Sequence, residues 1–383
     1  RNSDLTGAVM TWATLTGTDF AGATVTGASF FGVTYEGFTA EQLYSTASYQ
    51  QGVLTDMTMG NNDLPGWDFA GQDLTGTTFN SSNLEGANFE GAALVDVGFG
   101  SSTSIEGASF RNTTAHGLTA AQLEDLSFTG VDLSLNDLRG WNFYGQTLTG
   151  ARFDGSLIQG ASFARTVDRG FMAEQLYSTA SYKMKDLTGI DLSGGSASYS
   201  DRVDLSGWDF SGQNLTGARF TYTTLDGTDF TGATIRDANF DRAERTDWAG
   251  MISTTASYQE KDLSGIVFDR QMDLTGFDLS EQNLNGTNLS GCTLAGVDFT
   301  NATITGASFA ATTSTGFTKE QFYSTHSYQS GELAGVNLGG EQYKATPVFL
   351  ARGASNGWQW SVCRLGKDGR DGSIRPWGET VSW

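Results

Sequence analysis

An all-β chain wound into a four-sided coil is the fold class that three features of the sequence predict. Apolar residues recur at every fifth position, as in Leu64, Phe69, Leu74, Phe79, Leu84, Phe89, Leu94 and Phe99. Glycine is abundant, with 50 of 383 residues, while proline is scarce, with 3. Near-identical inserts interrupt the five-residue period at regular intervals. A period of five fits neither the 3.6 of a helix nor the 2 of a strand. It fits a chain that turns a corner every five residues with its apolar residue inward. Four such sides close a coil of about twenty residues, and successive coils stack roughly 4.8 Å apart through strand-like hydrogen bonds.

The first run is Leu5, Met10, Leu15, Phe20, Val25 and Phe30. The second starts at Leu64. The third is Leu138, Phe143, Leu148, Phe153, Ile158 and Phe163. A fourth runs from Leu205 to Phe240 and a fifth from Leu274 to Phe309. Around each apolar residue the neighbours repeat too. A small residue stands two before it and Asp, Asn, Ser or Thr one before, with Thr or Ser one after and Gly two after. Gly27-Ala28-Ser29-Phe30 and Gly217-Ala218-Arg219-Phe220 are examples. Glycine suits a corner that needs unusual backbone angles. Asp and Asn satisfy backbone donors locally.

With dozens of in-phase copies over about residues 4–343, the sequence resembles the pentapeptide-repeat family, whose motif is A-(D/N)-L-X-X. The resemblance implies a right-handed quadrilateral β-helix with Leu or Phe stacked on the axis. Roughly 55–60 axial positions give about 14 coils, or a rod on the order of 65–70 Å at that rise. The richness in Gly and Phe and the regular interruptions depart from many family members.

The inserts read GFTAEQLYSTASYQ at 37–50, GFMAEQLYSTASYK at 170–183 and GFTKEQFYSTHSYQ at 316–329. Two diverged copies are GLTAAQLEDLSF at 117–128 and WAGMISTTASYQ at 248–259. A second landmark recurs at Gly66-Trp67-Asp68-Phe69, Gly140-Trp141-Asn142-Phe143 and Gly207-Trp208-Asp209-Phe210, with Gly276-Phe277-Asp278-Leu279 as its variant. Its spacing makes a module of about seventy residues, so residues 1–343 form about five modules. Thr39-x-x-Gln42, Thr119-x-x-Gln122 and Thr318-x-x-Gln321 fit a capping box, so each insert starts a short helical turn. Such turns serve either as elbows that complete a coil or as a row of docking knobs on one side. The elbow reading is preferred.

Residues 344–383 lack the period. They hold two of the three prolines and four of the nine tryptophans, and carry a net +3 inside a chain of net charge −21. They read as short strands forming a Trp-rich, net-basic cap or assembly segment. No run of eighteen apolar residues exists, so no helix spans a membrane. The acidity disfavours binding to nucleic acid. Catalysis is not expected. The only histidines are His116 and His326, and the only cysteines Cys292 and Cys363. These make no nucleophilic triad, disulfide framework or metal cluster. No cofactor and no metal are predicted. Cys292 reads as a packing residue, and Lys367-Asp368-Gly369-Arg370-Asp371-Gly372 as a polar turn, because a calcium loop needs more oxygen ligands at set offsets.

The functional expectation is a non-enzymatic structural protein that self-assembles head to tail into an extracellular or cell-surface filament. The repeat phase begins at Asp4-Leu5-Thr6-Gly7 with no evident N-terminal cap, and a β-helix exposes strand edges only at its ends. Candidate assembly residues are Leu5 at one end and Trp358, Trp360, Arg364, Arg370, Arg375, Trp377 and Trp383 at the other. The start at Arg1 without Met suggests a removed leader, and the Gly/Thr/Asp/Asn-rich surface looks like secreted bacterial repeat proteins. One alternative comes from the family: some members are acidic, DNA-like rods that bind type II topoisomerases, which would place this chain in the cytoplasm. Those members are shorter and share a C-terminal dimerising helix that is missing here. Another alternative is an adhesin that binds a surface polysaccharide through the tail aromatics.

Overall fold

The computed structural model describes residues 1–123, 126–195 and 202–339. The chain divides into two compact units, Arg1–Asp191 and Leu192–Trp383. Both repeat one local device, seen clearly at residues 73–77. Leu74 is buried. The Asp73 carboxylate before it accepts the Thr75 N–H at 3.0 Å and the Thr75 hydroxyl at 2.6 Å. The Thr77 N–H donates to the Leu74 carbonyl at 2.8 Å across Gly76. Gly76 has φ of 72°, a left-handed conformation that costs glycine little and other residues more. The five-residue period is thus one β-turn plus the minimum chain needed to reach the next.

That economy explains the low strand content. With the turn taking part of each side, a single residue per side is left to pair with the next coil. The ladder is a series of isolated parallel bridges such as Thr58–Thr78, Asp68–Asn88 and Asp73–Ala93 in the first unit, and Asp209–Asp229 and Asp278–Asp298 in the second. All five span 20 residues, the coil length expected from four sides of five. Among the described residues only Val203–Asp204 (β1) and Thr223–Thr224 (β2) lengthen into a two-residue parallel pair. Between coils, Asp73 donates its N–H back to Gly52 at 2.8 Å and Leu74 donates forward to Ala93 at 3.0 Å. The ladder therefore has a direction.

The axis is filled by phenylalanines in alternating stacked and edge contacts. Phe69, Phe89 and Phe110 lie one above the other with centroids 5.2 and 5.0 Å apart. Phe79 meets Phe69 and Phe89 edge-on at 5.3 and 5.7 Å. Offset and edge-on pairs are the favoured aromatic geometries.

Each insert lengthens one coil and leaves the register intact. The bridges Ser29–Thr58, Ser162–Asp191 and Ser308–Asn337 span 29 residues each, and Asn239–Val267 spans 28. Among the described residues the α-helices are Ala40–Tyr44 (α1) and Ala47–Gln50 (α2), Ala120–Leu123 (α3), Ala173–Ser178 (α4) and Ala180–Lys183 (α5), Trp248–Thr254 (α6) and Ala256–Gln259 (α7), Lys319–Ser324 (α8) and His326–Ser330 (α9). A single row of knobs does not form in the first unit. The first insert leaves the column Ser29–Thr58–Thr78–Gly98, whereas the second leaves Asp68–Asn88–Ser109–Asp132, two sides away around the coil.

Candidate functional site

The inserts carry the most elaborate side-chain chemistry among the described residues, and most of it points inward. Their aromatic residues continue the axial stack. Phe38 lies on Phe30 at 4.7 Å, Phe171 on Phe163 at 4.4 Å and Phe317 on Phe309 at 4.6 Å. Two capping boxes form as expected. The Thr39 N–H donates to Gln42 Oε1 at 2.8 Å while Thr39 Oγ1 accepts the Gln42 N–H at 3.4 Å. Thr318 and Gln321 repeat this at 2.7 and 3.2 Å. At Thr119, Gln122 reaches back to the N–H at 2.7 Å, but the Gln122 N–H goes to the Thr119 carbonyl. Gln175 makes the same reach to Met172 at 2.6 Å, although methionine offers no hydroxyl.

The glutamine has a second task that the capping pattern does not reveal. Its amide NH2 donates to two carbonyls of the preceding coil: Gln42 to Leu15 and Thr18 at 2.8 and 2.7 Å, Gln175 to Leu148 and Ala151 at 2.9 and 2.6 Å, Gln321 to Leu294 and Val297 at 2.8 Å each. Gln122 does likewise with Leu94 and Val97. The insert at 248–259 has no such glutamine. There the half-buried Arg245 takes over, Nη1 donating to Leu225 at 2.7 Å and Thr228 at 2.9 Å.

A serine completes four of the five elbows. In an ordinary coil the axial N–H donates to the next coil's carbonyl. Beside an insert it donates to a serine hydroxyl instead: Val25 to Ser48, Ile158 to Ser181, Ile235 to Ser257 and Ile304 to Ser327, at 2.8–2.9 Å. The tyrosines then hold the coil that follows. The Tyr44 and Tyr49 rings face each other, tilted by 34°, at 4.5 Å. Tyr44 accepts the Asp68 N–H at 2.6 Å and Tyr49 donates to the Asp68 carbonyl at 2.9 Å. Burial, with Asp68 close by, pushes the Tyr49 phenol up to about 12. Trp67 lies 5.9 Å from Phe38 and 6.3 Å from Tyr44. Tyr258 repeats the bond to Asp278 at 2.9 Å and faces Phe277 at 5.4 Å. At 66–69 and at its variant 276–279 the landmark is therefore a seat for the insert preceding it, a pairing that neither motif discloses alone.

Of the predicted assembly residues, Leu5 is half-buried and its N–H donates to the Thr24 carbonyl at 2.8 Å. Trp358, Trp360, Arg364, Arg370, Arg375, Trp377 and Trp383 lie outside the described residues, as do the rest of 344–383 and Cys363. Cys292 is buried, donates to the Asp269 carbonyl at 3.3 Å, and has its thiol pushed up to about 12 by burial and by Asp269. That suits a packing residue and not a nucleophile. His326 is exposed at the start of α9, and its N–H makes the bond to Ala302 that Ala47 and Ala180 make to Ala23 and Ser156. Among the described residues no group of His, Cys, Asp or Glu is arranged to hold a metal ion, and no helix is long and apolar enough to cross a membrane.

The outward faces present carboxylates tied to their own backbone. Asp4, Asp204, Asp273 and Asp278 each accept the N–H two residues on at 2.8–3.0 Å, and the hydroxyls of Thr6, Ser206, Thr275 and Ser280, followed by these N–H bonds, hold their carboxyls below the usual range. Arg152 bridges Asp132 at 3.3 Å and Asp154 at 3.0 Å. Arg152 is exposed in both, and pairs with an exposed partner add little stability.

The pentapeptide-repeat family profile matches in eight copies, over residues 1–30, 61–97, 202–232, 214–244 and 273–309. The chain is a pentapeptide-repeat protein. The fold of these proteins is a right-handed quadrilateral β-helix, with which the parallel twenty-residue register agrees. No curated protein matches significantly. Solved structures similar to this pentapeptide-repeat protein include HetL, involved in heterocyst differentiation regulation in the cyanobacterium Nostoc sp. strain PCC 7120. It is 19% identical over 67% of this chain and 94% of its own, with a TM-score of 0.21. QnrB1, a plasmid-mediated fluoroquinolone resistance protein, is 18% identical over 60% and 92%, with a TM-score of 0.17. A protein of the Arabidopsis thaliana thylakoid lumen is 22% identical over 47% and 69%, with a TM-score of 0.08.

Proposed function

We propose that this pentapeptide-repeat protein is a non-catalytic structural protein that assembles end to end into an extracellular or cell-surface fibre. The observation that supports this reading is the direction of the ladder. Asp73 donates back to Gly52 and Leu74 donates forward to Ala93, so the two faces of a coil differ. A coil is complementary to the opposite face of another coil and not to its own. A contact built on this ladder is heterologous, and a heterologous contact that does not close yields a filament. The filled axis and the inward-turned insert chemistry fit a structural role better than catalysis. Sedimentation velocity of the chain over a range of concentrations tests the proposal. Species that grow with concentration support it, and a monomer throughout contradicts it. Removing residues 344–383 then asks whether that segment is the connector.

A second reading, an acidic ligand for a type II topoisomerase, draws on the net charge of −21. Against it, many of the acidic residues are engaged in the turns of the coil, as at Asp4 and Asp278. A gyrase supercoiling assay decides this point, since unaltered supercoiling removes the reading.

A further inference from the structure

We propose that the tyrosine pairs of the three complete inserts, Tyr44–Tyr49, Tyr177–Tyr182 and Tyr323–Tyr328, are sites of oxidative coupling that staple each insert's two short helices together. The rings face each other, tilted in the first two pairs and stacked in the third, with centroids 4.5, 4.6 and 4.5 Å apart and interplanar angles of 34°, 37° and 27°. Each pair joins the end of one short helix to the next: α1 to α2, α4 to α5, α8 to α9. In the first insert both hydroxyls bond to the peptide groups of one residue, Asp68, so the ring edges beside the two oxygens are brought to the same place. None of these six tyrosines is fully buried, and Tyr323 is 39% exposed, so a diffusible oxidant has access. The two diverged inserts do not keep the pair. Residues 117–128 contain no tyrosine, and 248–259 retains Tyr258 alone, which meets Phe277.

The oxidant required is a peroxide acting through a haem peroxidase. Each phenol gives up one electron and its hydroxyl proton. The two phenoxyl radicals join at the carbons beside their oxygens, and the ring hydrogens displaced there return to the oxygens as the rings regain aromaticity. Per pair, one carbon–carbon bond forms and two aromatic C–H bonds break. The two electrons and two protons released reduce one hydrogen peroxide to two waters. The product ties residues five apart in sequence, so it needs no second chain.

The test uses the full chain at high dilution with a haem peroxidase and limiting hydrogen peroxide. It reads dityrosine fluorescence and, by peptide mass spectrometry, the position of each link. The expected result is the loss of two hydrogens from each peptide that holds a pair, with backbone fragmentation between the two tyrosines suppressed. Tyr49→Phe, which keeps the ring, removes the link at the first insert and leaves the other two; circular dichroism confirms that the variant is folded. Tyr35 and Tyr144 are 63% and 55% exposed and stack on no other tyrosine among the described residues, so they serve as internal controls. Links concentrated at Tyr35 and Tyr144 between chains, or no dityrosine at all, overturn the proposal.

Discussion

Ser48 Oγ accepts the Val25 N–H at 2.9 Å, from 23 residues further along the chain and inside the core. The hydroxyl stands where a carbonyl of the next coil stands elsewhere, as for Leu74 and Ala93. Ser48→Ala leaves a buried amide without an acceptor, at a cost of about 1–3 kcal/mol. Hydrogen exchange at the Val25 amide should then speed up roughly 5- to 150-fold, with little change at Leu74, whose partner is intact. Unchanged exchange at Val25 would show that the serine is not the acceptor in solution.

Gln42 offers a test in which the direction of the effect is diagnostic. Its NH2 donates to two carbonyls and its Oε1 accepts the Thr39 N–H. Gln42→Glu keeps the acceptor but places an ionised oxygen against the Leu15 and Thr18 carbonyls. The variant should be less stable than the wild type at neutral pH. The folded chain favours the protonated acid there, so its pKa is raised above the unfolded value of roughly 4.3. The stability lost to ionisation is present below that value and lost as pH rises through the folded pKa, while the single O–H of the protonated acid replaces only one of the two carbonyl bonds. Thermal melts of variant and wild type at acid and neutral pH should therefore converge at acid pH and diverge at neutral pH.

The fold was legible because its cause is local. A five-residue turn with an inward Leu or Phe writes its period directly into the sequence, and Thr39-x-x-Gln42 announces the helical turn of an insert. What was hidden lies across coils. Nothing near Ser48 says that the Val25 amide lacks a carbonyl, and nothing in the capping pattern says that Gln42 reaches Leu15 and Thr18. The substitution of Arg245 for that glutamine is invisible in an alignment of the inserts, because its side chain arrives from outside the motif. The link between Trp67-Asp68 and Tyr44 and Tyr49 depends on a coil lengthened from 20 to 29 residues, which only the register displays. The expected assembly residues of 358–383 fall outside the described residues.

Corners make a pair of opposite predictions. Leu135 occupies the glycine position of its turn with φ of 61° and is 47% exposed. A left-handed conformation costs a residue with a Cβ about 1–2 kcal/mol. Leu135→Gly relieves that strain at the loss of the covered half of the side chain, so the melting temperature should rise. Gly76→Ala should lower it, because alanine meets both the strain of φ 72° and the Asp56 side chain lying over that corner. Differential scanning calorimetry of the two variants reads both signs, and a fall for Leu135→Gly would contradict the turn geometry.

Acid should destabilise the chain despite its negative charge. The carboxyls of Asp4, Asp204, Asp273 and Asp278 are held below their ordinary range by hydrogen bonds from Thr6, Ser206, Thr275 and Ser280, the hydroxyl first and the N–H second. A depressed folded-state pKa contributes stability above the unfolded value of roughly 3.9, and that stability is lost as pH falls through the folded pKa. Protonation also relieves repulsion within a chain of net charge −21, but moderate salt already screens much of that. The thermal midpoint in moderate salt should be level from about pH 7 to 5 and fall below about pH 4. A midpoint that rises on acidification would mean that repulsion outweighs the turn bonds.

End-to-end stacking of coils is tested most directly by electron microscopy of the purified chain across protein and salt concentration, with X-ray diffraction from aligned material. If coils of successive chains continue one ladder, filaments form and the coil spacing of about 4.8 Å lies along the filament axis. Discrete particles at every concentration, or filaments whose coil spacing lies across the axis, would contradict it.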